Sequence, residues 1–227
     1  MKFKVLWMAG LVFAATAGQV QAAFITLAEN LHVNGEEAGN NHFSSGSTFG
    51  AENFSLGGIF DVTRISFVAH HNSAGSQPIS IDWSIHLDGA GLPGTVISSG
   101  NTSSYSTSIE GTAFGGFYDL TRYSIDISPI TLGVGNYWVA FHNNTVFGND
   151  PHWTFARSGT SFDGLSAISF DGGSTWGSPY PGDNMTFRVE GFSSAAVPEP
   201  ASLAMWGFGA LGAMFARCKR KQMNRAV

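Results

Sequence analysis

The chain of 227 residues contains a single cysteine, Cys218, which lies in a basic segment near the C-terminal end. One cysteine cannot form an intrachain disulfide or a cysteine-based zinc site, and a cysteine in such a tail does not indicate a thiol enzyme. The fold therefore has to be stabilised by packing alone. Hydrophobic residues make up 43% of the sequence and include 19 phenylalanines, so a chain of this size can form the necessary core.

Positive charge is scarce in the middle of the chain. All four lysines lie at the two ends, and between residues 23 and 200 only four arginines accompany sixteen carboxylates, a net charge of −12. A protein that binds a phosphate backbone needs clustered lysine and arginine, and a P-loop needs a lysine. The sequence therefore predicts no nucleic-acid partner and no P-loop nucleotide site.

Residues 1–22 have the pattern of a secretory signal peptide. Lys2 and Lys4 precede an apolar run over residues 5–17, and small residues lead to a cleavage site between Ala22 and Ala23. A run of this length is short for a membrane span of about 20 residues, which favours cleavage by signal peptidase over a permanent anchor. We therefore expect the chain to be exported.

The other end has an uncharged apolar segment at residues 201–216, followed by a basic tail at residues 217–227. Positive residues after a hydrophobic segment stay on the cytoplasmic side. This pattern predicts a transmembrane helix with the main domain outside, whereas a buried C-terminal helix of the globular domain is the alternative. The predicted membrane-stop charges are Arg217, Lys219, Arg220 and Lys221.

Pro198-Glu199-Pro200 stands directly before the apolar segment. A Pro-Glu-Pro motif, a short apolar span and a basic tail, together covering residues 197–227, closely resemble the PEP-CTERM sorting signal. The resemblance implies a substrate of exosortase in exopolysaccharide-producing bacteria. Such a protein is anchored in the inner membrane before processing and then reaches the cell surface or the extracellular space. An ordinary membrane protein with a proline-rich spacer is the alternative.

Residues 23–192 show the period-2 alternation of β-strands. From residue 79 to residue 87 the odd positions are apolar and the even ones polar, and shorter stretches of the same kind recur at residues 65–69, 123–128, 137–141 and 187–189. Clusters of Gly, Pro and Asp at residues 88–94, 132–136 and 171–173 separate them and are predicted to form turns. We predict one all-β domain, an antiparallel, jelly-roll-like β-sandwich of eight to ten strands, with a closed up-and-down arrangement as the alternative. Residues 193–200 are predicted to form a linker that includes the Pro-Glu-Pro motif.

The order of motifs within this domain also resembles bacterial surface β-sandwich modules. The matching stretches are Asp-Gly-Ala-Gly-Leu-Pro-Gly-Thr at residues 88–95, Ile-Ser-Ser-Gly at 97–100 and Gly-Asn-Tyr-Trp-Val-Ala at 135–140. This resemblance supports the fold and implies no activity.

The sequence contains no nucleophile elbow, no His-Glu-x-x-His motif and no EF-hand loop. We therefore predict a non-enzymatic protein and assign no catalytic residue. A metal site formed by His70, His142 and His152 is conceivable, but histidines on polar faces and in loops are the favoured interpretation.

Acidic residues raise two further hypotheses. A glycosidase needs two acids about 5 to 9 Å apart. Asp82 and Asp126 lie on predicted strands and Glu110 in a predicted loop, and the sequence does not indicate that any two of them form such a pair. Calcium fits better, because glycine-rich loops offer carboxylate and carbonyl oxygens together. The candidate calcium ligands are Asp163, Asp171 and Asp183, and no other cofactor is predicted.

Aromatic residues give the remaining hint of function. Trp83 and Tyr137 alternate with core positions and are predicted to be structural. Trp153, Trp176 and Tyr180 lie in predicted loops, where their rings would contact the apolar faces of sugars or cap the ends of the sandwich.

These features together favour an exported, exosortase-sorted surface or extracellular-matrix protein, without enzymatic activity, that associates with exopolysaccharide in a biofilm. A secreted hydrolase or lyase acting on polysaccharide is one alternative, and an adhesive module that binds other proteins is another.

Overall fold

The computed structural model describes residues 24–31, 47–71, 77–113, 118–144, 151–153, 155–156, 166–177 and 184–194. Ala22–Ala195 form one compact unit, and Met1–Gln21 with Ala196–Val227 form a second. The predicted signal peptide, Pro-Glu-Pro motif, membrane segment and basic tail all lie outside the described residues. Within the described part of the chain, no helix is long and apolar enough to cross a membrane.

The described residues form thirteen strands. They are β1 (Ile25–Asn30), β2 (Phe49–Leu56), β3 (Phe60–His71), β4 (Ser80–Asp88), β5 (Pro93–Thr102), β6 (Ser106–Ala113), β7 (Tyr118–Leu132), β8 (Gly135–Asn144), β9 (Pro151–Trp153), β10 (Phe155–Ala156), β11 (Ser166–Ser169), β12 (Asn184–Met185) and β13 (Phe187–Ser193).

All strand pairs are antiparallel, and most strands belong to two sheets. The six-stranded sheet has the order β1-β13-β3-β7-β6, with β9 paired to the end of β3. The five-stranded sheet has the order β11-β2-β8-β4-β5, and β10 pairs with β12. The all-β class is thus confirmed, and the two antiparallel sheets are consistent with the predicted sandwich.

Period-2 alternation explains how the two sheets share a core. Ile81 and Ile85 of β4 are fully buried, and they belong to the same apolar cluster as Ile65 and Phe67 of β3 in the other sheet. The ring centroids of Phe67 and Phe141, one from each sheet, are 4.7 Å apart. The core therefore lies between the inner faces of the sheets.

The structure bears out the predicted core roles of two aromatic residues. Tyr137 is buried in the shared cluster, and Trp83 is half-buried and packs against it. The ends of the predicted strand differ, because Ile79 and Leu87 are 62% and 47% exposed. Alternation predicts which side a residue faces, but not where the opposing sheet stops.

Two loop predictions were wrong. Trp153 lies in strand β9, and Glu110 lies in β6, where its carboxylate accepts hydrogen bonds from Arg122. Strands β9 to β12 have only two to four residues, which is too short for alternation to reveal them. This is why the described residues contain more strands than the eight to ten predicted.

The predicted turn at residues 88–94 is confirmed between β4 and β5. Ala90 and Gly91 have positive φ angles of 66° and 89°. The Gly91 N–H donates to Asp88 Oδ1 over 3.1 Å, and the Gly89 N–H donates to the Leu92 carbonyl over 2.8 Å. The turn thus holds β4 and β5 as a hairpin along one edge of the five-stranded sheet.

Candidate functional site

The outer face of the five-stranded sheet, which is turned away from the core, carries a concentrated set of polar side chains. Because Ile81 and Ile85 face inward, Asp82, Ser84 and His86 of β4 face outward. The strand register aligns further polar residues with them: Asn101 and Ser99 of β5 and His142 and Asn144 of β8.

Part of this outer face is covered rather than open to solvent. Trp138 of β8 is fully buried there in a second apolar cluster with Ala51, Ala140 and Ala167, and Trp176 packs against that cluster. The Trp138 indole N–H donates to Asp88 Oδ1 over 2.9 Å. The cover is supplied by residues 169–177, named here the Asp171 loop.

Backbone hydrogen bonds hold the Asp171 loop against strand β11 and against Ser47. Ile168 and Gly177 exchange two backbone hydrogen bonds of 2.8 and 2.9 Å, and the Gly172 N–H donates to the Ser47 carbonyl over 2.8 Å. Gly172 and Gly173 have positive φ angles of 74° and 86°, a conformation that glycine adopts without strain. This loop is the predicted turn at residues 171–173.

Asp171 organises the loop through its carboxylate. The Thr175 backbone N–H and the Ser169 hydroxyl each donate to Oδ1 over 2.8 Å, and the Thr175 hydroxyl donates to Oδ2 over 2.7 Å. These bonds, those from Thr175 foremost, lower the pKa of Asp171 to about 2.

The calcium hypothesis stays a prediction. Asp163 and Asp183 lie outside the described residues, and the described residues contain no group of three His, Cys, Asp or Glu side chains placed to hold a metal ion. Asp171 already uses both carboxylate oxygens within its own loop.

A cleft of about 340 Å³ opens beside the Asp171 loop, above β4 and β5. We call it the β4–β5 cleft. Its volume is at the lower end of the range for small-ligand sites. It is lined by Phe49, Asp82, Trp83, Ser84, His86, Val96, Ser99, Gly100, Gly172 and Gly173.

Asp82 is held in this cleft by two amide groups from the neighbouring strands. Asn101 Nδ2 donates to Asp82 Oδ1 over 2.6 Å, and Asn144 Nδ2 donates to Oδ2 over 2.8 Å. Both amides also donate to the Ser80 hydroxyl, over 3.0 and 3.1 Å. The carboxylate is therefore fixed in position by uncharged donors.

Ser84 and His86 form a second hydrogen-bonded unit in the cleft. His86 Nδ1 lies 3.1 Å from the Gly94 carbonyl oxygen, which only accepts, so Nδ1 carries the proton. His86 Nε2 is then the acceptor of the Ser84 hydroxyl, 2.8 Å away. Burial lowers the pKa of His86, partly offset by the bond to Gly94. The ring is accordingly neutral at neutral pH.

The aromatic residues proposed to contact glycans are not all brought together. The Trp176 ring is half-buried and meets the His86 ring edge-on, with centroids 5.5 Å apart, beside the cleft. Trp153 lies on β9 of the other sheet, and Tyr180 lies outside the described residues.

The three candidate metal-binding histidines are divided between the two sheets. His70 and His152 are register partners in the six-stranded sheet. His142 is on the five-stranded sheet, where its Nδ1 donates to the Thr48 carbonyl over 2.7 Å and its ring stacks on Phe49. The acids Asp82 and Asp126 likewise lie on different sheets.

Sequence reasoning missed most of the cleft. The outward positions of Ser84 and His86 follow from the alternation in β4, and that signal marks both as neighbours on one face. Asn101 and Asn144 carry no such signal, because they meet Asp82 only through pairing of three separate strands.

Comparison with known proteins bears on the C-terminal end. Residues 196–221 match the model of the PEP-CTERM protein-sorting motif, which contains Pro198, Glu199 and Pro200. No curated protein and no solved structure shows significant similarity to the chain. The motif implies export, membrane anchoring before processing, and processing by exosortase. The chain thus carries a PEP-CTERM sorting motif at residues 196–221, which implies processing by exosortase.

Proposed function

We propose that this protein is a non-enzymatic module of the cell surface or extracellular matrix that binds exopolysaccharide in the β4–β5 cleft. The observation that carries the proposal is the position of Asp82 in the cleft, held by Asn101 and Asn144. Fixed carboxylate and amide groups suit sugar hydroxyls, which both donate and accept hydrogen bonds. The partly exposed Trp176 ring, which contacts His86 edge-on, adds an apolar surface at the edge of the cleft.

The connectivity of the strands supports the same proposal. The chain crosses from one sheet to the other at most connections between the long strands, except within the β4–β5 and β6–β7 pairs, and the sheets have the orders β1-β13-β3-β7-β6 and β11-β2-β8-β4-β5. This order fits the jelly-roll-like sandwich that the sequence predicts, an architecture that lectin domains use among others. Fold alone does not define function, and the cleft supplies the specific groups that would contact a glycan.

A non-enzymatic role is favoured by how the backbone donors near the cleft are used. An acyl-transfer enzyme needs free N–H groups to stabilise an oxyanion. The Gly172 N–H donates to the Ser47 carbonyl, and the Gly173 N–H donates to the Ser169 hydroxyl over 2.8 Å. Neither glycine offers its N–H to a ligand in the cleft.

Filling the cleft tests the proposal. Ser99 is an exposed residue of β5 that lines the cleft, so Ser99→Phe should fill the site with little effect on folding. We expect the full chain, purified in detergent, to bind exopolysaccharide of the producing strain, and Ser99→Phe to weaken that binding at least about tenfold. Ser128→Phe, at an exposed position of the other sheet, is the matched control. No binding by the native chain, or equal binding by both variants, would overturn the proposal.

The Ser84–His86 pair favours one second candidate, a hydrolase acting on polysaccharide or on its ester substituents. A hydroxyl on a neutral imidazole, which a carbonyl in turn orients, is the arrangement of a nucleophile and its base. Release of reducing ends or of carboxylic acid, abolished by both Ser84→Ala and His86→Asn, would establish the hydrolase. Binding without turnover supports the non-enzymatic module.

A further inference from the structure

The two outer faces of the sandwich differ in how their charges are balanced. All three arginines among the described residues pair with a carboxylate on a neighbouring strand of the six-stranded sheet. Arg64 Nε lies 2.6 Å from Asp126, and Arg188 Nε lies 2.8 Å from Glu29. Arg122 forms a bidentate pair with Glu110, in which Nη2 lies 2.7 Å from Oε2. Three of the six carboxylates on the strands of this sheet are therefore each paired with a cation.

The five-stranded sheet carries carboxylates without cations. Its five strands and the Asp171 loop contain no lysine or arginine. Asp88 accepts from the Trp138 indole, Asp171 accepts from its own loop, and Asp82 accepts from two amides, so every one of these donors is uncharged. Among the described residues of this sheet and loop, no cationic side chain therefore offsets the field of Asp82 in the β4–β5 cleft.

We propose that the β4–β5 cleft selects glycans whose units are uncharged or carry an amine, and that it rejects glycans built from uronic acids. The inference rests on the proposed function and names the ligand class of that same site. Asp82 is the discriminating residue. An ionised carboxylate has about four acceptor positions. The two amides use two of them, which leaves two for the hydroxyl or ammonium donors of a sugar.

The selection follows from Coulomb interactions at short range. A uronate carboxylate placed in the cleft meets the like charge of Asp82, whereas a glucosamine ammonium meets an opposite charge. The cleft is partly enclosed by the Asp171 loop, so water screens this interaction less than it does on an open surface. A neutral sugar experiences neither this repulsion nor this attraction and binds through hydrogen bonds alone.

Binding to three glycan classes tests the inference on the full chain in detergent. The probes are chitosan oligosaccharides with free amines, fully N-acetylated chitin oligosaccharides, and polygalacturonate oligosaccharides. We expect polygalacturonate to bind at least about tenfold more weakly than the neutral probe at low ionic strength, and chitosan about fivefold more tightly. Both differences should shrink as salt is added.

Two variants locate the effect. Asp82→Asn keeps the shape of the side chain and should bring the three probes within about threefold of one another. Asp126→Asn, on the six-stranded sheet, should leave the ranking unchanged. Ser99→Lys adds a cation at an exposed cleft position, offsets the charge of Asp82 and should likewise narrow the ranking, while Ser128→Lys should not. Ser99→Lys keeps the test informative even if Asp82→Asn fails to fold.

The outcomes separate the two proposals. If the native chain binds polygalacturonate as tightly as the neutral probe, the charge selection is wrong and glycan binding stands. A ranking that neither Asp82→Asn nor Ser99→Lys changes also overturns it. If no glycan binds at all, the proposed function fails and the selection fails with it.

Discussion

Arg122 illustrates how burial determines the contribution of an ion pair to stability. Its side chain is 4% exposed, and its guanidinium contacts Glu110 through two nitrogens and donates to the Ser66 hydroxyl over 3.1 Å. Arg64 makes a similar contact to Asp126, but those side chains are 35% and 77% exposed. Buried, bidentate pairs depend on the fork of the guanidinium, whereas exposed pairs contribute little.

Lysine substitution separates these two cases. Arg122→Lys keeps the charge but loses the fork and the bond to Ser66, so we expect the free energy of unfolding to fall by about 2 kcal/mol. Arg64→Lys should lower it by less than about 1 kcal/mol. Urea denaturation of the two variants beside the native chain measures the difference. Equal losses would show that burial does not distinguish the pairs.

The pKa of Asp171 predicts an acid-sensitive loop. Hydrogen bonds hold the folded-state pKa at about 2, below the ordinary value of 3.8. A depressed carboxyl pKa contributes stability above the ordinary value, and that contribution is lost as the pH falls through the folded value. Asp171→Asn should therefore lower the free energy of unfolding above about pH 4, and its difference from the native chain should disappear by about pH 2. Denaturant unfolding of both chains across this pH range measures the difference. A difference that does not change with pH would contradict the lowered pKa of Asp171.

At the scale of strands, alternation predicted much of the fold. It located β3, β4, β7, β8 and β13, and it placed Trp83 and Tyr137 toward the core, because each of these strands keeps its pattern over several residues. It did not reveal that the outer face of the five-stranded sheet is partly covered. The covering Asp171 loop is distant in sequence from β4 and β5, and periodicity contains no information about such a contact.

Gly191 provides a sharper test of the strand packing. A Cβ atom at this position would lie 2.0 Å from the Asp61 carbonyl oxygen and 3.0 Å from Val62 Cα, both in the backbone of β3. The register of β13 against β3 shifts at Glu190 and Gly191, so the two backbones approach closely at a bulge. Relief of such a clash requires the central pairing of the six-stranded sheet to open.

We expect Gly191→Ala to destabilise the fold by about 3 kcal/mol, at the upper end of overpacking costs. Gly57→Ala is the matched control, because a Cβ there meets no atom within 4 Å, and its effect should stay below about 1 kcal/mol. Denaturant midpoints of both variants test this. Similar midpoints would mean that β13 and β3 are farther apart than the structure shows.

At the scale of the whole molecule, stability and routing depend on different parts of the chain. Residues 23–192 contain no cysteine, and the two sheets share one aromatic core, so we expect this part of the chain to pack without disulfides and without the terminal segments. The sorting motif at residues 196–221 follows the last described strand, β13, which ends at Ser193. Changes within the motif should therefore alter the destination of the protein without altering the fold.

Replacement of Pro198-Glu199-Pro200 by three alanines tests this separation in the native host. Prolines keep a segment extended and free of helical hydrogen bonds, the form in which a protease cleft accepts a peptide. With alanine in their place, we expect the chain from Ala23 to Val227 to stay in the inner membrane, as shown by cell fractionation and intact mass. The control Met223→Ala with Asn224→Ala lies beyond the matched residues and should be processed normally. Unchanged release of the triple variant would mean that the apolar segment and basic tail are sufficient for sorting.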